Sequence, residues 1–329
     1  MNEAYQLGAI TTWLRECYRP LLVTHRRPDG DAIGSMIGMA LALRRLDLDP
    51  QPVLFDALPG RYQFFQESLR WYRWDDAHDV LEKECDAVIL LDTCALSQLE
   101  PIAAFLAHAP RTLIIDHHAT RDPIGTRDGD LRYFDETASA TALIVAEWAF
   151  DAGIALQGPL ATALFTGIAT DTGWFRYANT DSRTMRLASD LVASGVDVSC
   201  LYQTIYEQEP LPKLKLVAHL LNSIELRSDG RLAVMYLRKA DFTRTGADPS
   251  MTEDLVNEAG RLAGTEVTLL FTEDDDQVRV NLRSKGRLDV AELARRFGGG
   301  GHSRAAGVRI PGRWDAVVPR FIAETVEAL

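Results

Sequence analysis

Several things are scarce in this chain, and each scarcity removes a class of function. No apolar run approaches the roughly 18 residues that crossing a bilayer requires, so no membrane partner is expected. The opening stretch, MNEAYQLGAITTWLRECYRP, lacks a basic start, a long apolar core and a small-residue cleavage site. A secretory leader is therefore not expected, and the expected location is cytoplasmic. Cysteine is limited to Cys17, Cys85, Cys94 and Cys200, with no CxxC spacing, which argues against a disulfide framework or a structural zinc site. Buried free thiols are expected instead. Positive charge is also short: 35 Lys and Arg stand against 47 Asp and Glu, a net charge of −12. Binding a long duplex means neutralising many phosphates, which a basic face would do. An acidic chain still reaches phosphate through metal ions or a local Arg/Lys cluster, so a small phosphorylated substrate is favoured over long duplex nucleic acid. No internal repeat or low-complexity segment is present.

What is present suits two globular domains. The chain has 329 residues, 47% of them hydrophobic, enough for two cores. In the first half, short apolar runs alternate with helical patterns. PLLVTH (20–25), QPVLF (51–55), DAVILLD (86–92) and RTLIIDH (111–117) read as buried strands. Segments 31–46, 137–153 and 158–173 carry helical apolar spacing. This pattern predicts an α/β domain with a doubly wound, mostly parallel sheet, whose ligands gather at the C-terminal strand ends. It is expected over 1–190, followed by an interdomain linker over 191–212. A smaller α+β domain is expected over 213–329, with helices at 213–222, 252–263, 289–296 and 314–327 around strands near 224–238, 266–272, 277–283 and 306–310. The acidic run 273–276 suits a solvated hairpin turn, and WYRW (71–74) a structural role at a sheet edge.

Four apolar runs in the first half lead into metal-ligand residue types. PLLVTH enters the turn from His25 to Asp31, which includes Asp29; DAVILLD ends in Asp92; RTLIID ends in Asp116, His117 and His118; ALFTGIAT ends in Asp171. Any one of these could be a helix cap or a loop residue. Chance capping does not concentrate carboxylates and imidazoles at ends that share one rim of a sheet. Two divalent cations about 3.5–4 Å apart clamp the attacking and leaving oxygens of phosphoryl transfer and lower the pKa of a water between them. Carboxylates suit Mn²⁺ and Mg²⁺, and imidazole adds preference for Mn²⁺ or another transition metal over Mg²⁺.

THRRPDGDAIGS, LLDTC, IIDHH and TDTGWF resemble the four N-terminal motifs of the DHH phosphoesterase superfamily. RSKG (283–286) and GGGGHSRAAG (298–307) resemble its DHH-associated C-terminal domain. The resemblance covers nearly the whole chain in the right order, and its layout is similar to the short subfamily of nanoRNases and 3′-phosphoadenosine 5′-phosphate phosphatases. It implies two Mn²⁺ per chain, with Mg²⁺ or Co²⁺ as substitutes. His25 and Asp29 would hold one ion, and Asp31, His117 and Asp171 the other, with Asp92 bridging. His118 would sit over the substrate phosphate to protonate the leaving oxygen, and Asp116 would orient its neighbours. The implied substrates are short single-stranded oligonucleotides, linear dinucleotides such as pApA, or nucleoside bisphosphates.

In the second domain, Arg283 suits a phosphate through its planar fork, with Ser284 and Lys285 as supporting donors. Gly299, Gly300, Gly301 and His302 suit a phosphate cradle, since glycine lets backbone N–H groups approach closely. A longer single-strand exonuclease of the RecJ type, a family II pyrophosphatase and a non-enzymatic nucleotide sensor are the alternatives. Homodimer formation, cleavage polarity and base preference are left open by the sequence.

Overall fold

The structure, a computed structural model, describes residues 3–119, 121–252 and 254–329, with the side chains of residues 3–6 and of His302 outside the described set. It divides into two compact units, Met1–Gln208 and Glu209–Leu329. Among the described residues no helix is long and apolar enough to cross a membrane.

The first unit has six parallel strands: β1 (Pro20–Val23), β2 (Gln51–Leu54), β3 (Tyr72–Arg73), β4 (Ala87–Leu91), β5 (Thr112–Asp116) and β6 (Leu131–Phe134). Their order is β3-β2-β1-β4-β5-β6. Side-chain alternation divides each strand between two apolar layers. Leu22, Ile89, Leu91 and Ile115 face one layer, with α1 (Glu3–Leu14), α2 (Gly30–Arg44), α5 (Thr141–Asp151) and α6 (Pro159–Asp171). Leu21, Val23, Leu90 and Ile114 face the other, with α3 (Trp74–Glu84) and α4 (Ala103–Leu106). This is the expected doubly wound sheet. Its order reverses between β1 and β4, and the crevice at such a switch point is where ligands bind in open α/β sheets.

The close approach of α2 to α6 matters for the site. A Cβ on Gly34 would lie 2.5 Å from the Ala163 carbonyl oxygen and 2.7 Å from the Gly167 nitrogen, so the two helices meet backbone to backbone. That contact brings the start of α2, with Asp31, against the end of α6, with Asp171.

Residues 191–212, expected as a linker, are mostly folded. α7 (Ser182–Ala193) is followed by α8 (Val198–Tyr206), capped by the Asp197 carboxylate on the Cys200 N–H at 2.9 Å. Leu201 and Ile205, one helical turn apart, bury themselves in the first unit's core. Cys17, Cys85 and Cys94 are buried free thiols as expected, but Cys200 is exposed on α8.

The second unit opens with α9 (Leu211–Asn222), β7 (Glu225–Arg227), β8 (Leu232–Leu237) and α10 (Lys239–Thr245). It continues with β9 (Val267–Glu273), β10 (Gln277–Ser284), α11 (Val290–Arg295), β11 (Gly300–His302), β12 (Ala305–Pro311) and α12 (Trp314–Ala328). The sheet order is β11-β12-β10-β9-β8-β7, antiparallel except for the β8–β9 pair. The helix expected over 252–263 is instead a chain of short 3-10 turns at Pro249–Thr252, Leu255–Asn257 and Ala259–Arg261. Asp254 takes a left-handed φ of 63°, which breaks any continuous helix there, and Gly260 further weakens one. The run 273–276 forms the β9–β10 hairpin, and WYRW supplies edge strand β3 and the buried Trp74.

Candidate metal centre

The four expected segments converge at the C-terminal ends of β1, β4 and β5 and the end of α6. Asp92 follows β4 directly and adopts φ +63°, an uncommon conformation for a residue with a Cβ. His25 Nε2 lies 3.6 Å from Asp92 Oδ2 and 3.9 Å from Asp29 Oδ1. His117 Nε2 lies 3.6 Å from Asp92 Oδ1, 3.8 Å from Asp171 Oδ2 and 3.9 Å from Asp31 Oδ2. The ligand-type atoms of His25, Asp29 and Asp92 all lie within 4.8 Å of one another, as do those of Asp31, His117 and Asp171. A third such group, Asp92, His117 and His118, overlaps both.

These spacings suit a cation better than a hydrogen-bond network. The other ring nitrogen of each histidine faces a carbonyl: His117 Nδ1 is 3.2 Å from Ala138 O, and His25 Nδ1 is 2.9 Å from Arg26 O. A carbonyl only accepts, so Nδ1 carries the proton in each and Nε2 presents a lone pair to carboxylate oxygens. His117 Nε2 is buried without a hydrogen-bond partner. Atoms each bound about 2.1 Å from a common ion sit about 3–4 Å apart, the separations found here.

Electrostatics makes the same point. Burial, followed by the charge of Asp92 and of other site carboxylates, pushes the Asp31 carboxyl well above the usual range. Burial and then the Asp29 charge do the same to Asp92. Asp171 is pushed up to about 7 by burial and then by Asp29. Carboxylates crowded in this way ionise together only with positive charge among them. Burial, then the neighbouring His118, lowers His117, which favours the neutral ligand form. His118 is raised, chiefly by its hydrogen bond to Asp116 Oδ1 at 2.8 Å.

Thr141 and its neighbours, not singled out from sequence, hold the carboxylates in place. The N–H groups of Thr141 and Ala142 donate to Asp31 at 2.6 and 2.8 Å, and the Thr141 hydroxyl donates to Asp92 Oδ1 at 3.0 Å. Asp29 Oδ1 accepts from the N–H groups of Asp31 and Ala32, both at 3.0 Å, so it also caps α2. Cap and ligand are compatible roles for one side chain, since a carboxylate has several lone pairs.

In the second unit the expected substrate residues divide. Burial alternates along β10, with Val278, Val280, Leu282 and Ser284 inward and Arg279, Asn281 and Arg283 on the opposite face. Ser284 is thus buried away from Arg283, its hydroxyl without a partner, and is not placed to support it. Arg283 Nε donates to Asn257 Oδ1 at 3.1 Å. Lys285 Nζ is taken up by the carbonyls of Gly260 and Leu262 at 2.6 and 3.1 Å. Of the glycine run, Gly300 and Gly301 lie in strand β11 and Gly299 directly precedes it. A Cβ on Gly299 would lie 2.5 Å from Gly307 O, and one on Gly301 2.5 Å from Ala305 O. Gly300 has nothing within 4 Å of its Cβ position. The backbone of His302 pairs with Ala305 in β11, and its side chain lies outside the described set.

Residues 20–168 match the DHH family, N-terminal domain, and residues 229–329 match the DHHA1 domain. The chain is 31% identical over 299 residues to the bifunctional oligoribonuclease and PAP phosphatase NrnA of Bacillus subtilis, covering 90% of each chain. The chain belongs to the DHH family. A second DHH relative, of the same description, from Thermus thermophilus is 30% identical over 295 residues, 88% of this chain and 84% of its own. An exopolyphosphatase-related protein from Bacteroides fragilis shares the fold, with a TM-score of 0.89 at 24% identity over 98% of this chain and 96% of that one. Within this DHH member, the family's Asp-His-His triplet is Asp116, His117 and His118, at the end of β5.

Proposed function

We propose that the chain is a two-cation phosphohydrolase acting on short single-stranded oligonucleotides, linear dinucleotides and 3′-phosphoadenosine 5′-phosphate. The observation that carries this reading is the pair of ligand triads, His25, Asp29, Asp92 and Asp31, His117, Asp171, set side by side. Asp92 has Oδ2 near His25 of the first triad and Oδ1 near His117 of the second, which places it where it would bridge two cations. The oligoribonuclease and PAP phosphatase activities of the Bacillus and Thermus relatives, similar along about nine-tenths of this chain, support the substrate class. That match in length also favours short substrates over the longer-strand exonuclease reading.

Mn²⁺ is the proposed ion, with Mg²⁺ or Co²⁺ as substitutes, because mixed imidazole and carboxylate donors favour it over Mg²⁺ alone. When bound, two such cations neutralise charge at the scissile phosphate and lower the pKa of a water. His118 holds the proton for the leaving oxygen. Its Nδ1 is committed to Asp116, which leaves Nε2 to face substrate. Asp116, fully buried, fixes that ring through both the side chain and the His118 N–H at 3.0 Å. In the second unit, Arg283 and the open edge at Gly300 are the proposed nucleotide contacts. Free thiols at all four cysteines suit a cytoplasmic setting.

The test is hydrolysis of 3′-phosphoadenosine 5′-phosphate, pApA and a length series of RNA and DNA, each with Mn²⁺ and with EDTA. Wild type is expected to release mononucleotides only with metal, and Asp92→Ala to lose activity on every substrate while keeping its circular dichroism spectrum. Near-normal turnover by Asp92→Ala would remove the bridging assignment. Efficiency rising steadily to twenty nucleotides would favour the longer-strand exonuclease, and faster turnover of pyrophosphate the pyrophosphatase.

A further inference from the structure

In the antiparallel β10–β12 pair, Arg279 stands directly opposite Arg309, so both side chains leave the same face of the sheet. It is the face that Asn281 and Arg283 share, away from the inward row ending in Ser284. Like charges directly opposite one another destabilise a ladder. Among the described residues no carboxylate forms an ion pair with either arginine, and Asp274 acts on both only from beyond that range. Arg279 Nη2 donates to the Thr252 hydroxyl, while its Nε is buried with no partner. Arg309 is exposed. Burial, then the facing charge of Arg309, lowers the pKa of Arg279. Two rigid forks facing each other without a paired counter-charge are what an oxyanion would satisfy, through charge-assisted hydrogen bonds to both. The surface beside them is low and open. Asn281 faces Gly307, which in turn faces Gly300, where a Cβ would meet nothing within 4 Å.

We propose that Arg279 and Arg309 form a phosphate subsite for an internucleotide phosphate of a single strand, separate from the one served by Arg283. The proposal rests on the nucleotide-hydrolase reading and adds a basis for substrate length. Arg283 is four residues further along β10, about 13 Å at the rise of a strand. Arg283 is anchored at Asn257 and Arg279 at Thr252, so the two guanidinium groups address different phosphates. A dinucleotide or a bisphosphate engages Arg283 alone. A strand of several nucleotides engages both sites and is held more tightly for it.

The experiment compares wild type with the double variants R279Q/R309Q and R279K/R309K on pApA and on a five-nucleotide RNA. The neutral double variant is expected to raise KM for the pentanucleotide about tenfold, the loss of charged hydrogen bonds, with kcat held. KM for pApA is expected to change far less, and the lysine variant, which keeps the charge but not the planar fork, to recover part of the loss. In EDTA, anisotropy of a labelled pentanucleotide should show weaker binding by the neutral variant. Its salt slope should be shallower by about 0.7, because one fewer phosphate is neutralised on binding. Equal losses on both substrates, or unchanged pentanucleotide binding, would overturn the subsite. If wild type hydrolyses neither substrate, the hydrolase reading falls, and the EDTA binding arm still decides the subsite.

Discussion

Asp31 and Thr141 are 110 residues apart in sequence and joined by a 2.6 Å hydrogen bond from the Thr141 N–H to the Asp31 carboxylate. The Thr141 hydroxyl reaches Asp92 at 3.0 Å, so one residue at the start of α5 orients a carboxylate in each half of the candidate centre. Thr141→Val keeps the shape and the N–H but removes the hydroxyl. The expected outcome is Mn²⁺ affinity weaker by about tenfold, as for loss of a group that orients a ligand. Calorimetric titration with Mn²⁺ measures it, and unchanged affinity would leave Thr141 a structural role only.

Arg183 braces the segment that leads into Thr141. Its Nε and Nη2 donate to Glu147 at 2.6 and 2.5 Å, and its Nη1 to Asp135 at 2.7 Å. Asp135 in turn accepts from the Thr137 N–H at 2.9 Å, and Ala138 supplies the carbonyl facing His117. Arg183→Lys cannot reproduce a planar fork. It is expected to destabilise the protein by about 1–3 kcal/mol, the scale of leaving charged partners poorly satisfied. Urea denaturation at saturating Mn²⁺ tests this, and a change below about 0.5 kcal/mol, typical of an ordinary surface site, would contradict it.

The crowded carboxylates predict how metal-free stability depends on pH. Asp171 has a folded-state pKa of about 7, pushed up by burial and then by Asp29, against an ordinary value of 3.8. Between those values the folded form binds more protons than the unfolded one, so this group's contribution to stability falls as pH rises from about 4 to about 7 and is then flat. Asp171→Asn removes that contribution. In EDTA the Tm of the variant minus that of wild type should therefore increase from pH 5 to pH 7.5. With saturating Mn²⁺ the order should reverse, because wild type gains binding energy that the variant loses. A difference independent of pH in EDTA would show that Asp171 is not strained by its neighbours.

Much of this candidate centre was legible because most of its ligand-type residues end or closely follow an apolar run, and strands of one parallel sheet deliver their C-terminal ends to one rim. His25, Asp92 and His117 needed nothing more. Thr141 was hidden because its role is set by hydrogen bonds to Asp31 and Asp92, which no local pattern in TASATAL reports. α8 was masked by small and polar residues, although Asp197 as cap and Leu201 with Ile205 at helical spacing were there to be seen. Ser284 could have been placed correctly. In QVRVNLRS it shares the period-two phase of Val278, Val280 and Leu282, which faces the core. Its neighbour Arg283 tied it to the wrong face.

The glycine run separates structural need from function at single positions. At Gly299 an added methyl would lie 2.5 Å from Gly307 O and 2.5 Å from Val308 Cβ, within a paired backbone that has no room to give. Gly299→Ala should therefore destabilise the protein by about 1–3 kcal/mol, in the range of an overpacked core, with effects on every substrate following from the fold. At Gly300 the same methyl meets nothing, so Gly300→Ala should leave Tm within about a degree of wild type. If nucleotide packs against this open strand, that methyl occupies ligand space. KM for pApA should then rise several-fold while kcat and Mn²⁺ affinity hold. Thermal melts and steady-state kinetics on the two variants decide it. A Gly300→Ala enzyme with unchanged KM would mean that this part of β11 is never in contact with substrate.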